Sequence, residues 1–238
     1  MNKKDVVLEV KNLTKKYIDF TLSNVSFELK RGTVTGFVGQ NGSGKTTTIK
    51  SIMGFMNFEG EILYNGKAFN QKENIGYIGE TGDIYPKIKI KKLTKFYSKA
   101  YKDWDNEKFK HLFYDVFKLN DNLLLQELSS GMRTKYFLSL ALSKNSELII
   151  LDEPTTGLDP VVRADLLKIL HNLAEKENKT IFFSSHIMED IDEIADNIIF
   201  IQDGRIILSG RKADIKTKYP KLQDVLLEKS NEVSFCYD

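Results

Sequence analysis

The sequence predicts an α/β fold with a mostly parallel core sheet, an N-terminal antiparallel β part and an inserted α-helical lobe. Three observations lead there. Short apolar strands fill the first 65 residues, helix-forming sequence rich in Lys, Leu and aromatics runs from about Tyr85 to Ser143, and strands alternating with a helix return after it.

Taken in order, the early strands are expected at Val6–Val10, Ser26–Leu29, Val34–Val38 and Glu61–Tyr64, the last ending in an Asn65-Gly66 turn. Val34–Val38 runs into a glycine-rich turn and then a helix near Thr46–Met53. Later strands are expected at Leu148–Leu151, Thr180–Ser184 and Ile198–Gln202. Between the first two, Leu166, Leu170 and Leu173 share one face of a helix over Pro160–Lys176, with Asp159 as cap and Pro160 at its first position. Asp203-Gly204 joins Ile198–Gln202 to Ile206–Ser209 as a hairpin. Ile187, Ile191 and Ile194 face one way on a further helix, with Glu189, Asp190, Asp192, Glu193 and Asp196 expected on its solvated side. The expected division is one domain: a core of residues 1–84 and 146–211, a helical lobe of 85–145 and a short polar tail of 212–238 with one apolar-spaced turn at Val225, Leu226 and Leu227.

Composition narrows the function classes. With 35 Lys+Arg against 33 Asp+Glu, the net charge of +2 gives no electrostatic case for nucleic acid as partner. The single cysteine, Cys236, builds neither a disulfide framework nor a thiolate metal cluster, which fits a reducing cytoplasm. No signal-peptide h-region and no apolar run of about 18 residues is present, so any channel must come from another polypeptide.

The chemistry is carried by two motifs. Gly39-Gln40-Asn41-Gly42-Ser43-Gly44-Lys45-Thr46, followed by Thr47, has the full P-loop spacing between a strand and a helix. Its glycines let backbone N–H groups wrap phosphates, the helix adds its positive end, Lys45 neutralises β- and γ-phosphate, and the Thr46 hydroxyl can ligate Mg²⁺. Leu148-Ile149-Ile150-Leu151-Asp152-Glu153 is an apolar strand, expected to be buried on both faces, that ends in two carboxylates. Asp152 suits Mg²⁺ and Glu153 suits the general base that polarises the attacking water. Together these say only P-loop NTPase, a nucleoside triphosphate site with Mg²⁺.

Between and after them stand Leu128-Ser129-Ser130-Gly131-Met132, Thr156-Gly157-Leu158-Asp159 and Ser185-His186. In this order, over nearly the whole chain, the set resembles the ATPase domains of ABC transporters. The resemblance implies two ATPase subunits, as a homodimer or heterodimer, enclosing two ATPs, each held by one subunit's P-loop and the other's signature, here Ser129, Ser130 and Gly131. It makes Asp159 the D-loop aspartate, His186 the switch histidine that senses the γ-phosphate alongside Glu153 and Lys45 in catalysis, and Tyr17 the aromatic that stacks on adenine. It also implies a separate transmembrane permease, with this subunit cytoplasmic and peripheral on the membrane's inner face. Two positions depart from the family's commonest pattern. Glu80 stands at the Q-loop glutamine position, where a carboxylate can ligate Mg²⁺ or order water but cannot donate as an amide does, and the signature has Ser130 and Met132 where glycine and glutamine are commoner.

Within the family, the compact domain, the Gly-Tyr-Ile-Gly-Glu segment at residues 76–80 and Lys102-Asp103-Trp104-Asp105 are most similar to bacterial ABC-2 exporters of peptides, antibiotics or amphipathic compounds. The rival is a soluble ABC ATPase acting on ribosomes or DNA, which would carry a second ATPase domain or a long coiled-coil insertion; a second rival is a subunit that does not hydrolyse, against which stand Glu153 and His186. The basic run Lys87-Ile88-Lys89-Ile90-Lys91-Lys92 with Lys95 suits a solvated lobe edge, lipid headgroups or an acidic partner. The aromatics Tyr85, Phe96, Tyr97, Tyr101 and Trp104 suit either the lobe's core or a socket for the permease.

Overall fold

The computed structural model describes residues 5–69, 75–79 and 86–234, with side chains as far as Glu228. Glu80, Tyr85 and Cys236, all singled out from the sequence, lie outside the described residues.

An antiparallel sheet of four strands has the order β2-β1-β4-β5, from β1 (Val6–Lys16), β2 (Thr21–Lys30), β4 (Glu59–Tyr64) and β5 (Lys67–Ala68). The Asn65-Gly66 turn closes the β4–β5 hairpin, with φ of 50° and 75° at its two residues. That pair of left-handed residues is what a tight hairpin needs. The second sheet has six strands in the order β10-β9-β3-β8-β7-β6. In it, β3 (Val34–Val38), β6 (Ile75–Ile78), β7 (Leu148–Asp152), β8 (Thr180–Ser185) and β9 (Asn197–Gln202) run parallel, and β10 (Arg205–Arg211) returns antiparallel.

The apolar strands are buried on both faces because a hydrophobic core lies on each side of this sheet. Ile149, Leu151, Ile181, Phe183, Ile198 and Phe200 face one core. Leu148, Ile150, Phe182, Ile199 and Ile201 face the other, shared with the antiparallel sheet and α1 (Lys45–Ile52). Each fully buried aliphatic or aromatic side chain is worth about 1.5–3 kcal/mol, so the carboxyl ends of these strands form a rigid ledge.

Between β6 and β7 lies the helical lobe: α2 (Ile90–Ala100), α3 (Asn106–Lys110) continued by a π turn over His111–Val116, and α4 (Ser130–Ser143). Its aromatics divide. Trp104 packs on Phe109 with ring centroids 5.3 Å apart, inside the lobe, whereas Tyr97 and Tyr101 pair at 5.6 Å on a groove and Phe96 faces solvent.

After β7 comes α5 (Pro160–Glu177), which buries Leu166, Leu170 and Leu173 as its spacing predicts. After β8 comes α6 (Met188–Ile194). The tail is more regular than its polar composition suggests: α7 (Lys212–Lys218), α8 (Gln223–Ser234) and the turn between them pack Ile215, Tyr219, Leu222 and Val225 against the core. No helix among the described residues is long and apolar enough to cross a membrane.

Candidate active site

The P-loop joins β3 to α1. Gly44 caps the helix at φ 108°, a conformation that side chains rarely adopt. A Cβ at Gly39 would lie 2.3 Å from the Ile201 carbonyl oxygen, so only glycine allows the loop to lie this close to β9. Asn41 and Gly42 are exposed, Gln40 stands at the surface, Ser43 is buried, and Thr46 and Thr47 are half-buried in the first turn of α1.

Lys45 is 5% exposed and its Nζ donates to the carbonyls of Gly39 at 2.7 Å and Gln40 at 3.1 Å. The same ammonium lies 3.2 Å from Glu153 Oε1, an ion pair whose geometry leaves that oxygen without a hydrogen bond. The other carboxylate oxygen, Oε2, stands 2.8 Å from His186 Nδ1 and accepts from Thr156 Oγ1 at 3.2 Å. Lys45, Glu153 and His186 therefore meet at the carboxyl edge of β3, β7 and β8.

Glu153 itself sits at φ 52°, left-handed backbone that costs a non-glycine residue about 1 kcal/mol. What holds it there is Ser184 on β8. Its Oγ accepts from the Glu153 amide at 3.0 Å and donates to Asp152 Oδ1 at 2.6 Å, so one buried hydroxyl fixes the Glu153 backbone and the Asp152 carboxylate together. Ser184 escapes sequence reasoning, since only the parallel register Asp152↔Ser184 brings it into place, and Thr156, read from the sequence only as the start of the 156–159 motif, also bonds the Glu153 carboxylate. The other Asp152 oxygen, Oδ2, is buried without a hydrogen-bond partner, as is Ser43 Oγ. Unpaired buried oxygens beside a phosphate loop suit a hard divalent cation, which takes oxygen ligands. Among the described residues no group of three His, Cys, Asp or Glu could by itself hold a metal ion.

Ser129 caps α4, its Oγ accepting from the Met132 amide at 3.2 Å, which leaves Ser129 and Ser130 exposed at the helix start. A Cβ at Gly131 would lie 3.0 Å from the Gly157 carbonyl oxygen, so the start of α4 and the segment leading into α5 are packed together. Asp159 caps α5 through the Val162 amide at 3.0 Å and accepts from Lys135 Nζ on α4 at 3.3 Å. The Val162 N–H first, and Lys135 after it, hold the Asp159 carboxyl below its ordinary pKa. None of Ser129, Ser130 and Gly131 touches the P-loop of its own chain through a polar contact among the described residues. Tyr17 stands just past β1, nearly half exposed, with its hydroxyl 3.4 Å from Met56 Sδ and its ring 6.3 Å from Phe20. Phe20 in turn reaches Gly44, so Tyr17 stands one ring away from the phosphate loop.

The helix after His186 corrects one expectation. Asp190 is not on a solvated side: it is fully buried, accepting from Thr155 Oγ1 at 2.6 Å and paired with the Arg163 guanidinium. Asp190 lies three residues after Ile187 and four before Ile194, on the apolar face, so the spacing carried the signal. The carboxylate ties the residues after Glu153, the D-loop helix α5 and the helix after His186 into one unit. Replacing Asp190 by Ala leaves the half-buried Arg163 guanidinium and the buried Thr155 hydroxyl without this partner, and the expected loss is about 2 kcal/mol of folding stability, read from denaturant unfolding.

Residues 22–156 match the family model described as ABC transporter. The chain is 32% identical to YhaQ, an ABC transporter ATP-binding protein of Bacillus subtilis (strain 168), over 96% of its own length and 79% of that protein's. It is 31% identical to the bacitracin transport ATP-binding protein BcrA of Bacillus licheniformis, over 84% of this chain and 68% of that one. Among solved structures it superposes on an ATP-binding subunit of an ABC transporter with a TM-score of 0.82 at 27% identity, covering 93% of this chain and 98% of the other. The P-loop NTPase fold and the ordered motifs agree with these likenesses: the chain belongs to the ABC transporter family, as an ATP-binding and ATP-hydrolysing subunit.

Proposed function

We propose that this subunit hydrolyses Mg²⁺-bound ATP at a site completed by a second ATPase subunit, and that closure drives a transmembrane permease that exports a peptide, an antibiotic or another amphipathic compound. The observation that carries the chemistry is the Glu153 carboxylate held between Lys45 and His186 at the edge of the P-loop. In this reading Lys45 leaves Glu153 for the β- and γ-phosphates when ATP arrives. Oε1 of Glu153 is then free to take a proton from the attacking water as its oxygen bonds to the γ-phosphorus and the bond to ADP breaks. His186 keeps the other oxygen fixed. Thr46 and Asp152 would hold Mg²⁺, which supplies charge stabilisation at the phosphates; Glu80 belongs to the same proposal. Asn41 through Thr47 wrap the phosphates, Tyr17 offers its face to adenine, and the second subunit's counterparts of Ser129, Ser130 and Gly131 cover the γ-phosphate, with each Asp159 near the seam.

The permease reading is supported by a groove of 540 Å³ between β6 and the helical lobe. Phe55, Tyr77, Tyr97, Tyr101, Phe137 and Lys144 are among its lining residues, and burial raises the Tyr97 and Tyr101 pKa values. An amphipathic segment of a membrane partner fits such a wall of aromatics. The bacitracin transport relative supports the exporter class. It follows that the subunit sits on the inner face of the cell membrane, with residues 85–145 as the lobe that meets the permease.

The test is affinity purification of the tagged chain from membranes in mild detergent. A polytopic membrane protein is expected with the parental chain and is expected to be lost with Phe55→Asp, which puts a charge on an exposed groove residue. Ribosomes or nucleic acid in its place would favour a soluble ATPase role and leave the hydrolytic chemistry standing.

A further inference from the structure

From Pro86 to Lys102 the chain has seven lysines and no acidic residue, so the rest of a chain of net charge +2 carries −5. The fold gathers these charges on one surface. On α2, Lys91, Lys95 and Lys99 recur every fourth residue and Lys92 lies one step round, within about 100° of helix surface. Lys87 and Lys89 continue the surface into the preceding loop, and all of them are exposed. None of the seven is in an ion pair with a carboxylate among the described residues. The opposite face of α2 is fixed to the lobe by buried Ile90, by half-buried Leu93 and Tyr97, and by Thr94 Oγ1, 3.1 Å from the Tyr136 hydroxyl. Phe96, 66% exposed, stands among the lysines.

We infer that this outer face of α2 docks on anionic phospholipid headgroups, with the Phe96 ring entering the boundary between headgroups and acyl chains. The inference rests in part on the membrane-bound reading above, which brings this lobe to the inner leaflet. The chemistry favours lipid over a shaped acidic protein segment for three reasons. The charges are all lysines, compact point charges on flexible stems, with no arginine fork to fix a carboxylate. Four of them are spread over a helix about 16 Å long and two over the exposed loop before it, with Lys102 alone of the seven on the groove beside β6. An exposed aromatic among basic residues suits an interface that is wet on one side and apolar on the other. The net −5 of the remaining chain is repelled by the same leaflet, so the field also orients the subunit with α2 toward the membrane.

The full chain is mixed with vesicles of phosphatidylcholine alone, or of phosphatidylcholine with phosphatidylglycerol, and recovered by flotation. No permease is present, so failure here is distinct from failure of the transporter reading. Binding is expected only to the anionic vesicles, with release at high salt. Each lysine near such a surface is worth about five-fold in affinity, so Lys91→Gln, Lys95→Gln and Lys99→Gln together are expected to weaken binding about a hundred-fold. The ATPase rate and melting temperature of this triple variant stay parental, since all three side chains are exposed and outside the active site. Phe96→Ser is expected to lower the binding that remains at intermediate salt. Equal binding to both vesicle types, no binding to the anionic ones, or parental binding by the triple variant would overturn the inference. So would loss of the permease complex in the triple variant without any vesicle binding, which would assign the face to an acidic protein segment.

Discussion

Replacing Glu153 by Gln is expected to slow ATP hydrolysis by about 10²- to 10⁴-fold, the usual worth of a positioned general base, while ATP still binds. Glutamine keeps the length of the side chain and a carbonyl oxygen that can accept from Thr156 Oγ1 and His186, so the loop that carries residue 153 has no reason to rearrange. What disappears is the negative charge that takes the water's proton and that pairs with Lys45 at 3.2 Å. Because that pair competes with the phosphates for Lys45, the variant is expected to bind ATP at least as tightly as the parent. Phosphate release and nucleotide titration measure the two quantities separately. A variant that turns over at the parental rate would remove Glu153 from the role of base.

The second large effect belongs to Lys45. The Lys45→Ala chain is expected to lose about a hundred-fold or more in ATP affinity, since charge-assisted hydrogen bonds to phosphate are worth about 1.5–3 kcal/mol each. The nucleotide-free chain also suffers, because the buried ammonium now satisfies the carbonyls of Gly39 and Gln40 and faces the Glu153 carboxylate. Its loss leaves these acceptors unpaired, and a fall of about 1–3 kcal/mol in folding stability is expected. Combining Lys45→Ala with Glu153→Gln is expected to recover part of that stability, because the stranded carboxylate is gone. Calorimetry with ATP and denaturant unfolding without it check both statements. Unchanged affinity would mean that the phosphates are neutralised elsewhere.

The parts of the site that follow from local rules were legible in the sequence. The P-loop is one continuous segment with its strand and helix on either side, and Asp152 and Glu153 end an apolar strand, so spacing alone locates them. Asp159 and Pro160 announce the start of α5, and Asn65-Gly66 announces a hairpin, because caps and tight turns depend on neighbours in the chain. The α/β class followed from the same periodicities.

What escaped depends on packing between distant segments. The strand β6 does not stand out in the sequence because Gly76 weakens its β pattern; a Cβ there would lie 3.1 Å from the Ala141 carbonyl oxygen, so α4 packs closely against that glycine. β1 continues to Lys16, well past Val10, because register shifts along it let polar residues pair with β2 and β4. Ser184 is one of two adjacent serines, and only its register with Asp152 gives it its double hydrogen bond. The tail helices could not be read from a polar composition, because their few apolar residues find a core already built by the strands. Asp190 is the instructive case, since its position among isoleucines pointed inward while its charge argued outward, and the pairing with Arg163 and Thr155 decides the outcome.

The central claim is that ATP, once bound by this P-loop, is enclosed by a second subunit and released from that enclosure by hydrolysis. Light scattering on the purified Glu153→Gln chain with saturating ATP, with ADP and without nucleotide tests it most directly, because this variant retains the ligand that holds the pair together. Twice the monomer mass is expected with ATP, and the monomer mass with ADP or with no nucleotide. A monomer under saturating ATP would contradict closure of two copies of this chain around the nucleotide.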